Sequence, residues 1–465
     1  MEGKTMDICV NKKQKHSSRE ELEGLTKDVL IEKVIQLQAH NFQLKNIIQK
    51  QNNEAQGSSI VKVPTTSSKI SKFPKRHVLL KFLYFGWDYK GYACQEDTNA
   101  TIEYHLFTAL KKACFIESRE NSNYHRCGRT DKGVSAFCQV ISIDLRSKYR
   151  EQDQLKPENV ENEIDYCGIL NRILPANIKC ICWMPLRSKE YSARFDCAQR
   201  TYRYFFPMGD MDIEAMRKGC EHLIGTHDFR NLCKMDVANG VTNFVRTVSS
   251  AKINQCLFEK EENSGFEMFY FEIVSQSFLW HQIRCIMAIL FLIGERLEAS
   301  NIVLELLDVT TNPRKPQYNL ANGLPLNLYS CEFRNKTNEA AKNEDIVAEK
   351  TDLSDTTEWV YNKESLSKLI ENLQSEWSIS NIRSTMMRMV LSDIQETFDR
   401  QFGPKIHKFQ TNVLQEGSKA KQYQKLLSRK RCESLENRIE HYVKKRRIIV
   451  NKNDRGKKEK KERRC

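Results

Sequence analysis

His125–Ala136 reads HRCGRTDKGVSA, and the interpretation of the whole chain turns on it. One carboxylate, Asp131, stands among Arg126, Arg129 and Lys132 between Gly128 and Gly133. Ile141, Ile143 and Leu145 then alternate with Ser142 and Asp144, the period-2 pattern of a strand. The stretch reads as a glycine-framed loop that delivers a single acid at a strand edge. Three cations beside it attract a polyanion, and the apolar neighbours restrict water. The bland alternative is a surface turn with a solvated charge cluster.

Working outward, Arg76 opens a strand-like run, His77–Tyr84, followed by a glycine-bearing turn, FGWDYKGYACQ, and a helix over about Thr101–Cys114. After the loop, the charged region from Glu151 to Asn177 passes into a Leu/Ile-rich helix, and Lys179–Met184 reads as a strand. Next comes YSARFDCAQRTYRYFF, Tyr191–Phe206, whose end alternates so that Tyr202 and Tyr204 share one strand face and Arg203 takes the other. An aromatic platform in basic surroundings stacks an unpaired base; two tyrosines in a core are the alternative. His227 and Asp228, beside a Gly turn, read as helix-capping residues rather than an acid/base pair.

Ser277–Gly294, SFLWHQIRCIMAILFLIG, is an apolar helix outlined by Phe278, Ile283, Ile286, Met287 and Leu290, with Ser277 as its expected N-cap. Arg284 lies in its middle. A buried unpaired guanidinium costs several kcal/mol, so a carboxylate partner is expected, and Asp131 is the candidate. The alternative is an arginine that snorkels to solvent along its aliphatic stem. GLPLNLYSCEF, Gly323–Phe333, closes the core as a last strand.

Together these strings resemble the TruA family of tRNA pseudouridine synthases: the opening strand and GW turn, the GRTD-x-GVxA loop, the R-x-Y-R-Y strand and the helix bearing Arg284. The resemblance covers roughly Arg76–Phe333 firmly and the flanks loosely. It implies an α/β (α+β) fold of two similar subdomains, each an antiparallel sheet flanked by helices, joined into a continuous sheet with a central cleft. It implies isomerisation of uridine to pseudouridine, with Asp131 as the catalytic aspartate and Arg284 as its paired arginine. Tyr202 then contacts the target uracil, with Tyr204 in that place if the register differs by two, and Arg129 fills the space of a flipped nucleotide. The wording FLWHQIRC and the flanks look like the eukaryotic branch that acts on uridines 38 and 39, in the anticodon arm of tRNA. Family members are often homodimers with tRNA lying across both protomers. A catalytically silent RNA-binding protein of the same fold is the competing class.

Composition sets the outer limits. The chain has 465 residues, 40% of them hydrophobic, with a mean hydropathy of -0.60, which implies a globular centre with polar extensions. Its longest apolar run, Cys285–Ile293, is far short of the roughly 20 residues of a membrane span, and no membrane or secretory segment is read. Sixteen cysteines are scattered without a C-x-x-C pair, so free thiols are expected and no metal. No P-loop or dinucleotide fingerprint is present, and no cofactor is expected.

Ahead of the core, residues 1–50 carry a capping-box pattern at Ser18 and Glu21 and a short heptad seam through Leu30, Val34, Leu37, Asn41, Leu44 and Ile48. This reads as a short coiled coil or as an amphipathic helix packed on its own domain. A linker is expected over 51–75, the catalytic domain over 76–334 with its subdomain boundary near 190–210, and a polar linker over 335–362. A helical extension follows over 363–443, then a basic tail over 444–465. Lys444–Cys465 holds twelve Lys/Arg against three Asp/Glu, and that surplus of nine leaves five of the net +14 for everything before it. Such a tail reads as a nuclear-localisation or nucleic-acid patch, giving a nuclear protein with the cytoplasm as a second location; a solubilising extension is the alternative.

Overall fold

A computed structural model describes residues 8–10, 72–256, 266–334, 358–405, 412–417, 422–445 and 448–450. Among them a short antiparallel ladder joins β1 (Ile8–Val10) to β11 (Ile448–Val450). The heptad seam of Leu30–Ile48 and most of both linkers and of the basic tail lie outside the described residues.

The alternating stretches form one nine-stranded sheet. Its strands are β2 (Lys75–Tyr84), β3 (His125–Arg126), β4 (Ser135–Arg146), β5 (Ile178–Pro185), β6 (Cys197–Pro207), β7 (Gly225–Asp228), β8 (Val245–Gln255), β9 (Met268–Ser275) and β10 (Leu326–Phe333). The order is β5-β2-β4-β10-β6-β9-β8-β7, with β3 paired to β4. Every pairing within this sheet is antiparallel except that of β4 with β10, which run parallel at Asn327↔Ser135 and Leu328↔Ala136. Two antiparallel half-sheets therefore meet at one parallel joint, and the Asp131 loop enters the sheet at that joint.

The helices are α1 (Ile102–Lys112), α2 (Pro157–Glu161), α3 (Tyr166–Ile173), α4 (Ile213–Glu221), α5 (Gln282–Gly294), α6 (Ile302–Leu307), α7 (Lys363–Phe402) and α8 (Leu435–Lys444). One core joins Leu80 and Phe82 of β2 and Ile141 and Ile143 of β4 with Leu110 of α1 and Leu170 of α3. Leu79 and Val140, one position out of phase, join Met184, Tyr191 and Cys197 in a second cluster. Strand β4 is thus covered on both faces, and its polar positions are satisfied inside: Ser142 Oγ accepts from Ala193 N at 3.1 Å, and Asp144 bonds His77 at 2.6 Å.

Helix α5 is buried almost all round, as its unbroken apolar sequence requires. It starts at Gln282 with His281 as N-cap, not at Ser277. Ser277–Trp280 instead form a loop, closed by the Gln282 side chain accepting from Leu279 N at 2.8 Å. Among the described residues no helix is long and apolar enough to cross a membrane. The end of the chain is partly core rather than appendage: Leu414, Leu426 and Leu435 belong to the main cluster, and Ala321 bridges to Gln415 and Pro316 to Arg431. Helix α7 is the opposite case, for Leu369 is its one buried residue.

Candidate active site

The loop carrying Asp131 is pinned from below by the turn that precedes it in sequence. Gly133 adopts φ +78 and donates its N–H to Tyr89 O at 3.2 Å, while Tyr92 N donates to Thr130 O at 3.1 Å. Gly86 lets the two backbones touch: a Cβ there would sit 1.9 Å from Val134 O. Gln139 on β4 spans Gly128 from both sides, its Oε1 accepting from Gly128 N at 3.2 Å and its Nε2 donating to Gly128 O at 3.1 Å. Tyr84 and Thr130 share a buried hydroxyl bond of 2.7 Å. The FGWDYKGYACQ turn is thus the cradle of the acidic loop.

Asp131 meets the N-terminal end of α5. Its Oδ2 lies 3.4 Å from His281 Nε2 and 4.0 Å from Arg284 Nη1. Arg284 is only 4% exposed, so it does not snorkel, and the structure brings it and Asp131 together. Burial pushes the Asp131 carboxyl above its ordinary range, while Arg284, the Trp280 side chain and Lys234 pull it back and Glu416 pushes it further up. Burial, with Arg284, Lys234 and Lys315 nearby, drives the His281 imidazole down to about 3, so it is neutral near pH 7. A neutral Nε2–H can donate to the carboxylate without adding charge.

The sequence neighbours of Asp131 are not its electrostatic partners. Arg126 is taken by Glu103, a buried acid of α1 that also accepts from Tyr124 at 2.8 Å and pairs with Arg119 at 3.2 Å. Lys132 is exposed at the edge of the same cleft and forms no ion pair with Asp131 among the described residues. The charges that act on Asp131 come from far along the chain, and Trp280, His281 and Lys234 were not among the expected site residues. His281 and Arg284, three apart, could have been read as one face of a helix entry.

Asp131, Arg129, Tyr202 and Arg284 all line one cleft of about 800 Å³. Tyr202 sits edge-on to Phe278 with ring centroids 5.2 Å apart, and burial holds its phenol well above the ordinary value, hence protonated. Tyr204 points away into the core, where its hydroxyl donates to Leu414 O at 3.3 Å. Between them Arg203 takes the other face as the alternation requires, paired with Glu272 at 2.7 Å and lying 3.5 Å from the Tyr329 ring centre.

A second cavity of about 520 Å³ adjoins the first and shares Arg129 and Arg194 with it, adding Arg119, Arg126, Lys234 and Arg246 to its wall. Burial and the nearby Arg126 and Arg194 pull the Arg129 guanidinium below its ordinary value. These cations repel one another, and a polyanion would relieve that repulsion. Cys127, Cys197 and Cys331 bring their Sγ atoms within 4.8 Å of one another, the first two at the wall of the larger cleft. Each thiol already donates: Cys127 to Cys331 Sγ at 3.3 Å, Cys331 to Cys138 O at 3.3 Å and Cys197 to Gln199 O at 3.4 Å. His125 does not join this cluster.

A carboxylate facing an arginine, inside a cleft lined by guanidinium groups and by aromatic pairs such as Tyr202–Phe278 and Trp280–His281, suits an enzyme whose substrate is a polyanion carrying flat bases. Residues 220–334 match the family described as tRNA pseudouridine synthase. The chain is 41% identical over 449 residues to the Mus musculus protein named tRNA pseudouridine(38/39) synthase, covering 90% of this chain and 88% of that one. Its Homo sapiens counterpart of the same name is 43% identical over 397 residues, 80% of this chain and 78% of that one. A Saccharomyces cerevisiae protein, again of that name, is 41% identical over 284 residues, 58% and 62% of the two chains. The chain belongs to the tRNA pseudouridine synthase family, isomerases that convert uridine to pseudouridine in tRNA.

The raised Asp131 pKa has a consequence for stability. The native state binds this proton more tightly than the unfolded chain does, so its contribution is present below the unfolded value, about 3.9, and is lost as pH rises through the folded value. Asp131→Asn is therefore expected to melt above wild type at pH 7, with the gain shrinking as pH falls through the folded pKa. A differential scanning calorimetry series from pH 7 to 4 checks this; a variant less stable than wild type at pH 7 would mean that the cations outweigh burial.

Proposed function

We propose that this chain isomerises uridines 38 and 39 in the anticodon arm of tRNA, with Asp131 as the catalytic carboxylate. The observation that carries the reading is Asp131 facing both Arg284 and a neutral His281 on the wall of a basic cleft. The reaction breaks the N1–C1′ bond, turns the uracil and joins C5 to C1′, after which the C5 proton leaves. An ionised carboxylate begins it, by attack at C1′ or by removal of the C2′ proton, and Arg284 favours the ionised form. The uridine reaches the cleft by flipping out of the arm. Tyr202 stacks on the uracil as a neutral phenol. Arg129, at the border of the two cavities, fills the space the nucleotide leaves. The positions 38 and 39 follow the names of the mouse, human and yeast relatives.

The test is pseudouridine mapping of total tRNA by carbodiimide-stop sequencing, in cells lacking the protein and in cells rescued with wild type or Asp131→Ala. Signals at 38 and 39 are expected to disappear and to return only with wild type, while the variant still binds tRNA. Rescue by Asp131→Ala would overturn the catalytic role and favour a silent RNA-binding protein. Loss at other tRNA positions instead would keep the isomerase and move its target.

We further propose a homodimer built on α7. This 40-residue helix carries exposed Ile370, Trp377 and Leu391 at multiples of seven, interrupted at Ser384, with Met387 and Ile394 offset by three or four and further exposed apolar residues such as Ile382 and Val390 beside them. An apolar stripe along a helix of this length needs a partner to stay out of water, and a second copy brings the same stripe. Leu391→Glu combined with Ile394→Glu should halve the mass seen by light scattering. A wild-type mass of one chain, 54.4 kDa, would refute the dimer.

For the basic tail, Lys444–Cys465, we propose nuclear retention with a share of protein in the cytoplasm. Deleting it should move a fluorescent fusion toward the cytoplasm and flatten the salt dependence of tRNA binding. Unchanged distribution and slope would make it a solubilising extension.

A further inference from the structure

Arg284 stands between two carboxylates, and the one from the catalytic loop is the more distant. Nη1 is 4.0 Å from Asp131 Oδ2, whereas Nη2 donates directly to Glu416 Oε1 and Nε donates to Ala321 O at 2.8 Å. Glu416 lies 132 positions along the chain, in the 412–417 segment. That segment is built into the fold. Glu416 N donates to Leu320 O at 2.8 Å, Asn322 N donates to Leu414 O at 2.8 Å, and Gln415 bridges to Ala321. Leu414 is 4% exposed, and its carbonyl also takes the Tyr204 hydroxyl. The acid that holds the guanidinium is thus anchored on the same loop as the carbonyl that holds it.

We propose that Glu416 is a positioning residue for the isomerisation: it holds Nη2 of the Arg284 guanidinium while Ala321 O holds Nε, so that Nη1 is left to face Asp131. A guanidinium free of Glu416 would swing into a two-pronged pair with Asp131, the geometry arginine and carboxylate prefer. That pair would occupy the carboxylate oxygens needed at the ribose and would make Asp131 a weaker base and nucleophile. Glu416 also opposes the pull of Arg284 on the Asp131 proton, in the direction that keeps the carboxylate reactive. The segment beyond the catalytic core thereby becomes a working part of the site.

This inference rests on Asp131 being the reacting group, so Asp131→Ala is run beside it. The measurement is the single-turnover rate of pseudouridine formation against pH, with saturating enzyme and a tRNA transcript, for wild type, Glu416→Gln and Glu416→Asp. The Glu416 side chain is 51% exposed, and its replacement is expected to leave the fold and tRNA Kd unchanged, checked by circular dichroism and filter binding. For Glu416→Gln the plateau rate should fall on the order of tenfold to a hundredfold, the cost of a misplaced catalytic group. Its acid limb should move to lower pH, because ionised Asp131 is the active form and now feels Arg284 undivided. Glu416→Asp should recover part of the rate and return the limb toward wild type. A Glu416→Gln enzyme with the wild-type plateau and limb would overturn the proposal. So would a loss of rate with an unmoved limb and no recovery by aspartate, which would be a structural effect. Activity in Asp131→Ala would instead overturn the catalytic reading on which the inference stands.

Discussion

A carboxylate, Asp131, is held largely out of water, and much of the fold is arranged to tolerate it. Burial pushes the Asp131 carboxyl above its ordinary range. What opposes burial comes from the other half of the sheet: Arg284 from α5, and Trp280 and Lys234 from the loops around it. The acid belongs to β4's half and its cations to β10's half, so the parallel joint of these two strands brings them together. Weakening that joint would do more than cost stability, because it would separate a charge from its partners.

The second constraint is the surplus of positive charge around the cleft. Guanidinium groups packed this closely repel one another, and Glu103 absorbs part of that repulsion. It is fully buried beneath the rim, where it binds Arg126 and Arg119, the Tyr124 hydroxyl and Cys94 N. Those contacts hold its carboxyl below the ordinary range even against burial. With two arginines satisfied internally, Arg129 and Arg194 line the cavities, and among the described residues no ion pair is formed by either. The rim is left unsaturated where a phosphate backbone would lie.

What could be read from the sequence followed its local periodicities. The loop around Asp131, the strand containing Ile141 and Ile143, and the alternation of Tyr202 and Arg203 are short-range patterns, and each has its expected place. Arg284 was legible for a different reason: a guanidinium in an apolar helix demands an acid, and Asp131 lies opposite it. The demand for an acid was right but incomplete, because nothing in the pattern counts how many acids will answer. Glu416 lies in a polar stretch with no periodicity, and only the fold brings it to Arg284. Arg126 is read from the sequence as one of three cations offered to a polyanion, and in the fold Glu103, 23 positions away, takes it. The cysteine cluster was invisible for the same reason, since positions 127, 197 and 331 share no spacing rule. The helix start at Ser277 failed because Gln282 closes its own turn, a side-chain bond that no residue preference reports.

The reaction proposed for this cleft makes an unusual demand that its lining suits. Between bond cleavage and re-formation the uracil is detached, yet it must neither leave nor stay fixed, because a different atom has to face C1′. Hydrogen bonds to the base edges would hold it in its first orientation. A stacking face constrains tilt and distance but leaves the base free to turn in its own plane. Tyr202, braced edge-on by Phe278, offers such a face on the wall that also carries Asp131. Its phenol is neutral, as burial holds it further above an ordinary value already well over pH 7, so the face brings no charge that would bind one orientation over the other. On the proposed reading, charge is concentrated instead where the ribose would lie, at Asp131 and Arg284, so that the sugar is held while the base turns.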